Sequence, residues 1–166
     1  MTPRAPSLSL LVLLLLVVAG AHARSSDRNK PTTVDADRND CYLTDDGQCK
    51  FSGNVVITQG TLNIKASTAT AHRRNGEINR LVLTGSPVSL KQEMEDGTPM
   101  TATAKQIDYD MANETLTLIG DFNIHSPSGS NSGQKMVYNL RTGAIQGGGD
   151  GSRVRTVIQP RNAQGK

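Results

Sequence analysis

The sequence predicts an all-β protein, and the main reason is the spacing of its apolar residues. They recur at every second position in many short segments, as in Val55 and Ile57 or Leu116 and Leu118. A period of two is typical of strands that bury one face. Turn-forming residues separate the segments, and no convincing 3.6-residue pattern follows residue 24. The predicted turns lie at Gly60, Asn75-Gly76, Gly85-Ser86-Pro87, Asp96-Gly97, Asn113, Ser126 to Gly133 and Thr142-Gly143.

Residues 1–23 are expected to be a secretory signal peptide. Arg4 gives a basic start, an apolar run extends from Leu8 to Ala19, and Ala21-His22-Ala23 is a small-x-small cleavage site. A membrane-anchor helix is the alternative, but a span needs about 20 apolar residues and this run is shorter. We therefore expect export, with cleavage before Arg24.

The rest of the chain is long enough for one domain. We expect an N-terminal segment over residues 24–39 that contains the first edge strand, a β domain over residues 40–158, and a flexible basic tail over residues 159–166. Aromatic residues make up 3% of the chain, with no Trp, and the net charge is +3. This composition argues against a deep core with aromatic anchors and against nucleic acid as a partner.

The two cysteines flank a turn signal, Asp45-Asp46-Gly47. An oxidising compartment lets thiols pair, and a hairpin at this turn brings Cys41 and Cys49 to nearly opposite positions. We expect a local disulfide, with a bulge to match the spacing. A free thiol pair and a metal-ligand pair remain alternatives, but no other Cys or His has ligand spacing, so no metal and no cofactor are expected.

An internal repeat begins at three glycines, Gly53, Gly85 and Gly120, at intervals of 32 and 35 residues. Each copy contains two segments of alternating pattern, which indicates a strand-turn-strand unit. We expect three such units to stack, each covering the next one's face. An array of this kind leaves its first and last strands unpaired unless they are capped.

Chemistry-bearing motifs are scarce beyond the signal segment. His72 and His125 are the only imidazoles there, and no nucleophile elbow, metal-binding His pair or phosphate-binding loop is present. Two pairs of carboxylates are spaced two residues apart, so on a strand both members of a pair would share one face. Each pair either holds a cation or is solvated. Two arginine clusters are either phosphate sites or solvated surface. The pairs are Asp35/Asp37 and Asp108/Asp110, and the clusters are Arg73, Arg74, Arg80 and Arg153, Arg155, Arg161.

The interior predicted by this pattern is narrow and aliphatic, with one apolar row per strand. Either the face closes on itself as a small core, or it remains a groove that accepts acyl chains. Burial of each methylene contributes about 0.8 kcal/mol, so acyl chains are favourable occupants with little demand for shape.

The segment Phe51 to Ala66 strongly resembles the opening of the OstA-like domain of periplasmic lipopolysaccharide-transport proteins. The resemblance extends over Pro31 to Pro160 and includes the ending from Arg153 to Pro160. It implies a single, slightly twisted, V-shaped β-jellyroll of stacked antiparallel strands around a hydrophobic trough. It also implies a periplasmic location, lipopolysaccharide held by its lipid A, and inner-membrane anchored and outer-membrane transport components as partners. Subunits would associate head to tail through their edge strands.

The resemblance also identifies candidate site residues. Those matched to family lipid contacts are Thr32, Val34, Leu43, Leu90, Tyr109 and Met111. Period two extends the set to Phe122, Ile124, Met136 and Tyr138. The candidate oligomer-edge residues are Val154, Thr156 and Ile158.

The first functional hypothesis is therefore a non-enzymatic bridge that carries lipopolysaccharide between the two membranes. A secreted β-solenoid enzyme acting on polysaccharide is an alternative, but it would need clustered carboxylates and exposed aromatic residues. A structural assembly module that polymerises without a ligand is the third hypothesis.

Overall fold

The computed structural model describes residues 25–142, 144–149 and 151–160. The predicted signal peptide and the end of the basic tail lie outside these ranges. Within the described ranges, a 3-10 turn at Ser25–Asn29 precedes ten strands: β1 Thr33–Asp35, β2 Arg38–Cys41, β3 Gln48–Gln59, β4 Leu62–Arg74, β5 Glu77–Glu93, β6 Pro99–Asp110, β7 Thr115–Ser126, β8 Gly129–Asn139, β9 Ile145–Gly147 and β10 Arg155–Ile158. No helix in this part of the chain is long and apolar enough to span a membrane.

These ten strands belong to one antiparallel sheet. Eight follow the order β1-β3-β4-β5-β6-β7-β8-β10, while β2 pairs with β3 and β9 with β8. Neighbouring strands pair mostly in chain order because short turns join them, and Asn75-Gly76 is an example. Both residues have positive φ, 53° and 81°, as a type I′ hairpin turn requires. Buried and exposed side chains alternate along the long strands. The predicted all-β jellyroll of antiparallel strands is therefore confirmed.

One predicted turn is wrong, and a second is shorter than predicted. Gly85-Ser86-Pro87 lies inside β5, at an irregularity in the pairing of β5 with β6, and the Ser86–Pro87 peptide is cis. Proline is compatible with a strand at such a bulge because no ladder hydrogen bond is needed there. In the second case only Pro127 and Ser128 form the turn, and Gly129 to Gly133 begin β8.

The three repeat glycines mark bulges in every second long strand. Register shifts separate Ser52 from Val55, Thr84 from Val88 and Ile119 from Phe122. A bulge bends its strand and increases the local twist, so each long strand is divided into two halves. The repeat units therefore join edge to edge in one sheet, and the expectation that each unit covers the next one's face is wrong. Inward residues of both halves form one hydrophobic core.

Polar side chains on the outer face hold the bulge of β7. Gly120 and Asp121 both have positive φ, 79° and 48°. The Lys105 ammonium lies 2.6 Å from the Asp121 carboxylate, and the Gln134 side-chain amide donates to the same carboxylate at 2.6 Å. These two hydrogen bonds, that of Lys105 first, lower the pKa of Asp121 below its usual value. The bent conformation is thus stabilised from the solvent side.

Each outer edge of the sheet consists of two short strands. At the N-terminal edge, β1 pairs with the second half of β3 and β2 with its first half. At the C-terminal edge, β10 pairs with the first half of β8 and β9 with its second half. The edge strands of three or four residues are largely exposed.

The structure contains the disulfide between Cys41 and Cys49, which joins β2 to β3. The two residues are direct cross-strand partners, with Cα atoms 4.0 Å apart. The predicted bulge is wrong because the β2–β3 register is uninterrupted, and the loop from Tyr42 to Gly47 takes up the spacing. This loop also contacts the β4–β5 hairpin, since the Arg73 N–H donates to the Gly47 carbonyl at 2.9 Å.

Replacing Gly120 with Ala tests the bulge. A Cβ there would lie 2.9 Å from the Lys105 side chain, in addition to the strain of positive φ. Gly97→Ala is the control, because Gly97 has φ +78° and no atom within 4 Å of the added Cβ. We expect Gly97→Ala to lower the free energy of unfolding by about 1 kcal/mol and Gly120→Ala by roughly 2 kcal/mol or more. Urea denaturation measures both, and equal losses would contradict a specific role for the bulge contact.

Candidate functional site

Rows of inward-facing side chains cross the sheet from one edge to the other, because residues paired across successive strands share a face. The first row is Cys41, Cys49, Ala71, Leu81, Tyr109, Leu116, Tyr138 and Ile145. The second row is Asn39, Phe51, Ala69, Leu83, Ile107, Leu118, Met136 and Gly147. The third row is Val34, Ile57, Ile64, Leu90, Ala102, Ile124, Asn131 and Thr156. Most members are apolar, so the interior is largely a hydrocarbon surface, although the third row ends in the polar Asn131 and Thr156.

Four predicted lipid contacts are buried within this interior. Leu90 is 3% exposed, Phe122 1%, Met136 0% and Tyr138 6%. Leu90 lies in the third row, Met136 in the second and Tyr138 in the first, while Phe122 pairs with Gly133 beside the bulge. Their side chains pack in the hydrophobic core of the isolated chain.

Four others are partly exposed at the border of the same core: Val34, Tyr109, Met111 and Ile124. Val34 begins the third row at the N-terminal edge, and Ile124 lies near its C-terminal end. Tyr109 lies in the first row, and Met111 follows at the end of β6. These residues reach both the core and the surface. Thr32 and Leu43 are exposed, and Leu43 retains 77% of its accessible surface.

Leu43 lines a cleft of about 230 Å³ together with Cys49, Ala71, Arg73, Gly76 and Ile78. The cleft lies where the disulfide loop meets the β4–β5 hairpin, at the end of the first row. Ile78 is 51% exposed and belongs to this surface, although sequence reasoning did not identify it. A signal was present, since Ile78 is a large apolar residue two positions after the Asn75-Gly76 turn.

The carboxylate pair Asp108/Asp110 has partners within the chain. The Arg80 guanidinium binds the Asp108 carboxylate through two hydrogen bonds, one of 2.8 Å and one shorter. The Asn113 side-chain amide donates to Asp110 at 2.8 Å, and its backbone N–H donates at 3.0 Å. These hydrogen bonds, the side-chain one first, lower the pKa of Asp110 below its usual value. Both carboxylates therefore belong to the polar outer face.

The free edge of β10 has a defined backbone orientation. The Gln159 N–H donates to the Ser128 carbonyl at 3.0 Å, so residues 159, 157 and 155 direct their backbone groups towards β8. The N–H and C=O groups of Thr156 and Ile158 therefore point to the open edge. Ile158 is 81% exposed. The third edge candidate, Val154, lies just before β10, with its side chain against Gly147.

Over residues 25–160, apart from 143 and 150, these features define an open β-jellyroll with an apolar interior and two free edges. A family model described as "LptA/(LptD N-terminal domain) LPS transport protein" matches residues 33–144. The chain belongs to this LptA/LptD N-terminal domain family.

Two relatives and one solved structure illustrate the similarity. The lipopolysaccharide export system protein LptA of Haemophilus influenzae is 30% identical, over 93% of this chain and 91% of the relative. The LptA of Escherichia coli K12 is 29% identical, over 96% and 89%. The crystal structure of LptH, the LptA homologue of Pseudomonas aeruginosa, has a TM-score of 0.72 at 24% identity, over 81% of this chain and 99% of that chain. The LptH comparison shows the shared fold.

Two methionines provide a test of the difference between buried and partly exposed candidates. Met136→Ala should lower the free energy of unfolding by about 2–5 kcal/mol, because it leaves a cavity in the closed core. Met111→Ala removes the same atoms at the border and should cost roughly 1 kcal/mol. Chemical denaturation of the two variants measures both values. A loss at Met111 as large as that at Met136 would contradict this assignment.

Proposed function

We propose that this protein binds lipopolysaccharide in the periplasm and covers its lipid A acyl chains with the inward rows. Copies would join head to tail into a bridge between inner-membrane anchored and outer-membrane components of the same transport system. The main support is the third row, which runs across eight paired strands from Val34 to Thr156 and reaches both free edges. A row that reaches both edges can continue into a neighbouring copy.

The comparisons also support this proposal. The family model is that of a lipopolysaccharide transport protein, and the relatives from H. influenzae and E. coli are named as lipopolysaccharide export system proteins. The chain covers about nine-tenths of each relative, so the similarity extends over most of the sheet. The proposed role is binding and transfer, without a catalytic step.

The partly exposed residues are the proposed first contacts with acyl chains. Tyr109, Met111 and Ile124 present apolar surface at the border of the core, where an acyl chain would meet the interior first. Leu43 would act through the cleft near Ile78. The buried residues Phe122 and Met136 would meet lipid only if the two halves of the sheet move apart. Each methylene transferred from water contributes about 0.8 kcal/mol.

A second candidate function is a structural module that assembles without a ligand. It is favoured by the complete burial of Phe122 and Met136, since a core already closed in the isolated chain has no need of lipid. The two candidates share the free edges and differ in whether hydrocarbon enters the interior.

Photo-crosslinking in cells separates the two candidates. A photoreactive amino acid in place of Ile124 should form adducts with lipopolysaccharide, because this side chain faces inward at the border of the core. The same substitution at Asn123 is the control, since its side chain is exposed on the outer face. Gel mobility with lipopolysaccharide-specific detection measures the adducts. Equal labelling at both positions, or none at Ile124, Tyr109 and Met111, would favour the ligand-free module.

Proline at Thr156 tests head-to-tail association. The Thr156 N–H points to the open edge, so proline removes a donor that a neighbouring copy would use while sparing the hydrogen bonds of β10 to β8. We expect smaller species in analytical ultracentrifugation. Thr156→Ala keeps the N–H and should behave like the unmodified protein. If Thr156→Pro retains concentration-dependent oligomers, association through this edge is excluded.

A further inference from the structure

The two edges of the sheet have opposite charge on their outer face. Asp35 and Asp37 lie at the N-terminal edge, and Arg153 and Arg155 lie at the C-terminal edge; all four are exposed. Within the described ranges, none of the four is in a salt bridge. Asp37 accepts a hydrogen bond of 2.9 Å from the Asn54 side chain, which fixes it beside the bulge of β3. The charges are therefore available to another molecule.

The pairing register relates these charges to one another. An outer-face row runs from Asp35 through Val56, Lys65, Ser89, Thr103, Asn123 and Ser132 to Arg155. Residues in one row are direct cross-strand neighbours. If a second copy continues the sheet with the same pairing, its Asp35 lies opposite Arg155 of the first copy. Two positions further along an antiparallel pair, its Asp37 would lie opposite Arg153.

Backbone hydrogen bonding gives the same register independently of charge. Along a row of an antiparallel sheet, hydrogen-bonded pairs alternate with non-hydrogen-bonded pairs. The backbone groups of Thr156 point away from β8. When this alternation is followed along the third row to β1, the N–H and C=O of Val34 also point to the open edge. Val34 and Thr156 lie in the same row. They can therefore form a hydrogen-bonded pair between copies. Strand directions alternate along the path of eight strands, so β10 runs antiparallel to β1 of the next copy.

We propose that copies of this chain associate in one defined register, with Val34 paired to Thr156 and Asp35 opposite Arg155 of the neighbouring copy. This inference rests on the proposed head-to-tail association and adds its specificity. Pairing of β10 with β10, or of β1 with β1, would place like charges side by side. The charges thus favour the open, repeating assembly over closed dimers.

Charge reversal tests the register. Asp35→Arg places two arginines opposite each other at every interface, and Arg155→Asp places two aspartates there. Because like charges directly opposite each other destabilise a strand pair, each variant should associate about fivefold more weakly at low salt. Mixing the two variants in equal amounts should restore association, because every interface between unlike variants then joins an arginine to an aspartate. The double variant, which carries both substitutions, should also associate normally.

Analytical ultracentrifugation at low and high salt measures association, and Lys91→Glu is the control because Lys91 is an exposed charge in the middle of the sheet. If the unmodified protein associates but both reversals leave association unchanged, the register is wrong while head-to-tail association stands. If mixing fails to rescue two weakened variants, the register is also wrong. If the unmodified protein does not associate at any concentration tested, the proposed assembly itself is overturned.

Discussion

An antiparallel sheet that does not close leaves a line of unpaired N–H and C=O groups along each outer strand. Such edges pair with other chains unless they are short, charged or covered. In this protein each edge is split into two strands of three or four residues at the level of the bulges, and charged side chains lie on its outer face. Short, charged edges restrict pairing to a partner with the complementary pattern, and in the proposed register the other edge of the same chain would be such a partner.

The bulges allow one sheet to enclose its own core. A regular sheet would keep its two halves in line, with the apolar face exposed to water. Two successive residues with positive φ, Gly53-Asn54 in β3 and Gly120-Asp121 in β7, bend the strands and turn their inward faces towards a common interior. Polar contacts such as Lys105 to Asp121 hold the bend from outside. The core and the free edges therefore depend on the same local conformation.

Much of the fold is predictable from the sequence, because period two and turn residues are local signals. They identify the long strands, the Asn75-Gly76 hairpin and the pairing of Cys41 with Cys49. Gly85-Ser86-Pro87 has turn composition but bends a strand, since pairing on both sides continues beyond it. The start of β8 is Gly129 to Gly133, which has no apolar side chain, so only its neighbours β7 and β10 make it a strand.

The candidate site is less predictable because period two identifies the face of a residue but not its depth. Ile124 and Met136 both face inward, yet one lies at the border of the core and the other is fully buried. Depth depends on the distance of each residue from the bulge and from the sheet edge, and a local pattern does not contain that information.

The composition of the inward rows bears on how lipid could enter a core that is closed in the isolated chain. Strands β4 and β6 contribute small side chains to the interior, at Ala66, Ala69, Ala71, Ala102 and Ala104. Alanine buries little surface, so larger buried side chains such as Phe122 and Leu83 fill much of the interior. An acyl chain supplies methylenes that replace the contacts of these side chains with the same kind of apolar surface, and hydrocarbon contacts make little demand on shape. Separation of the halves exchanges one apolar contact for another, whereas the hydrogen-bonded ladder between strands remains intact. In the proposed function, entry of an acyl chain into the buried interior would therefore involve movement at the bulges rather than breakage of the sheet.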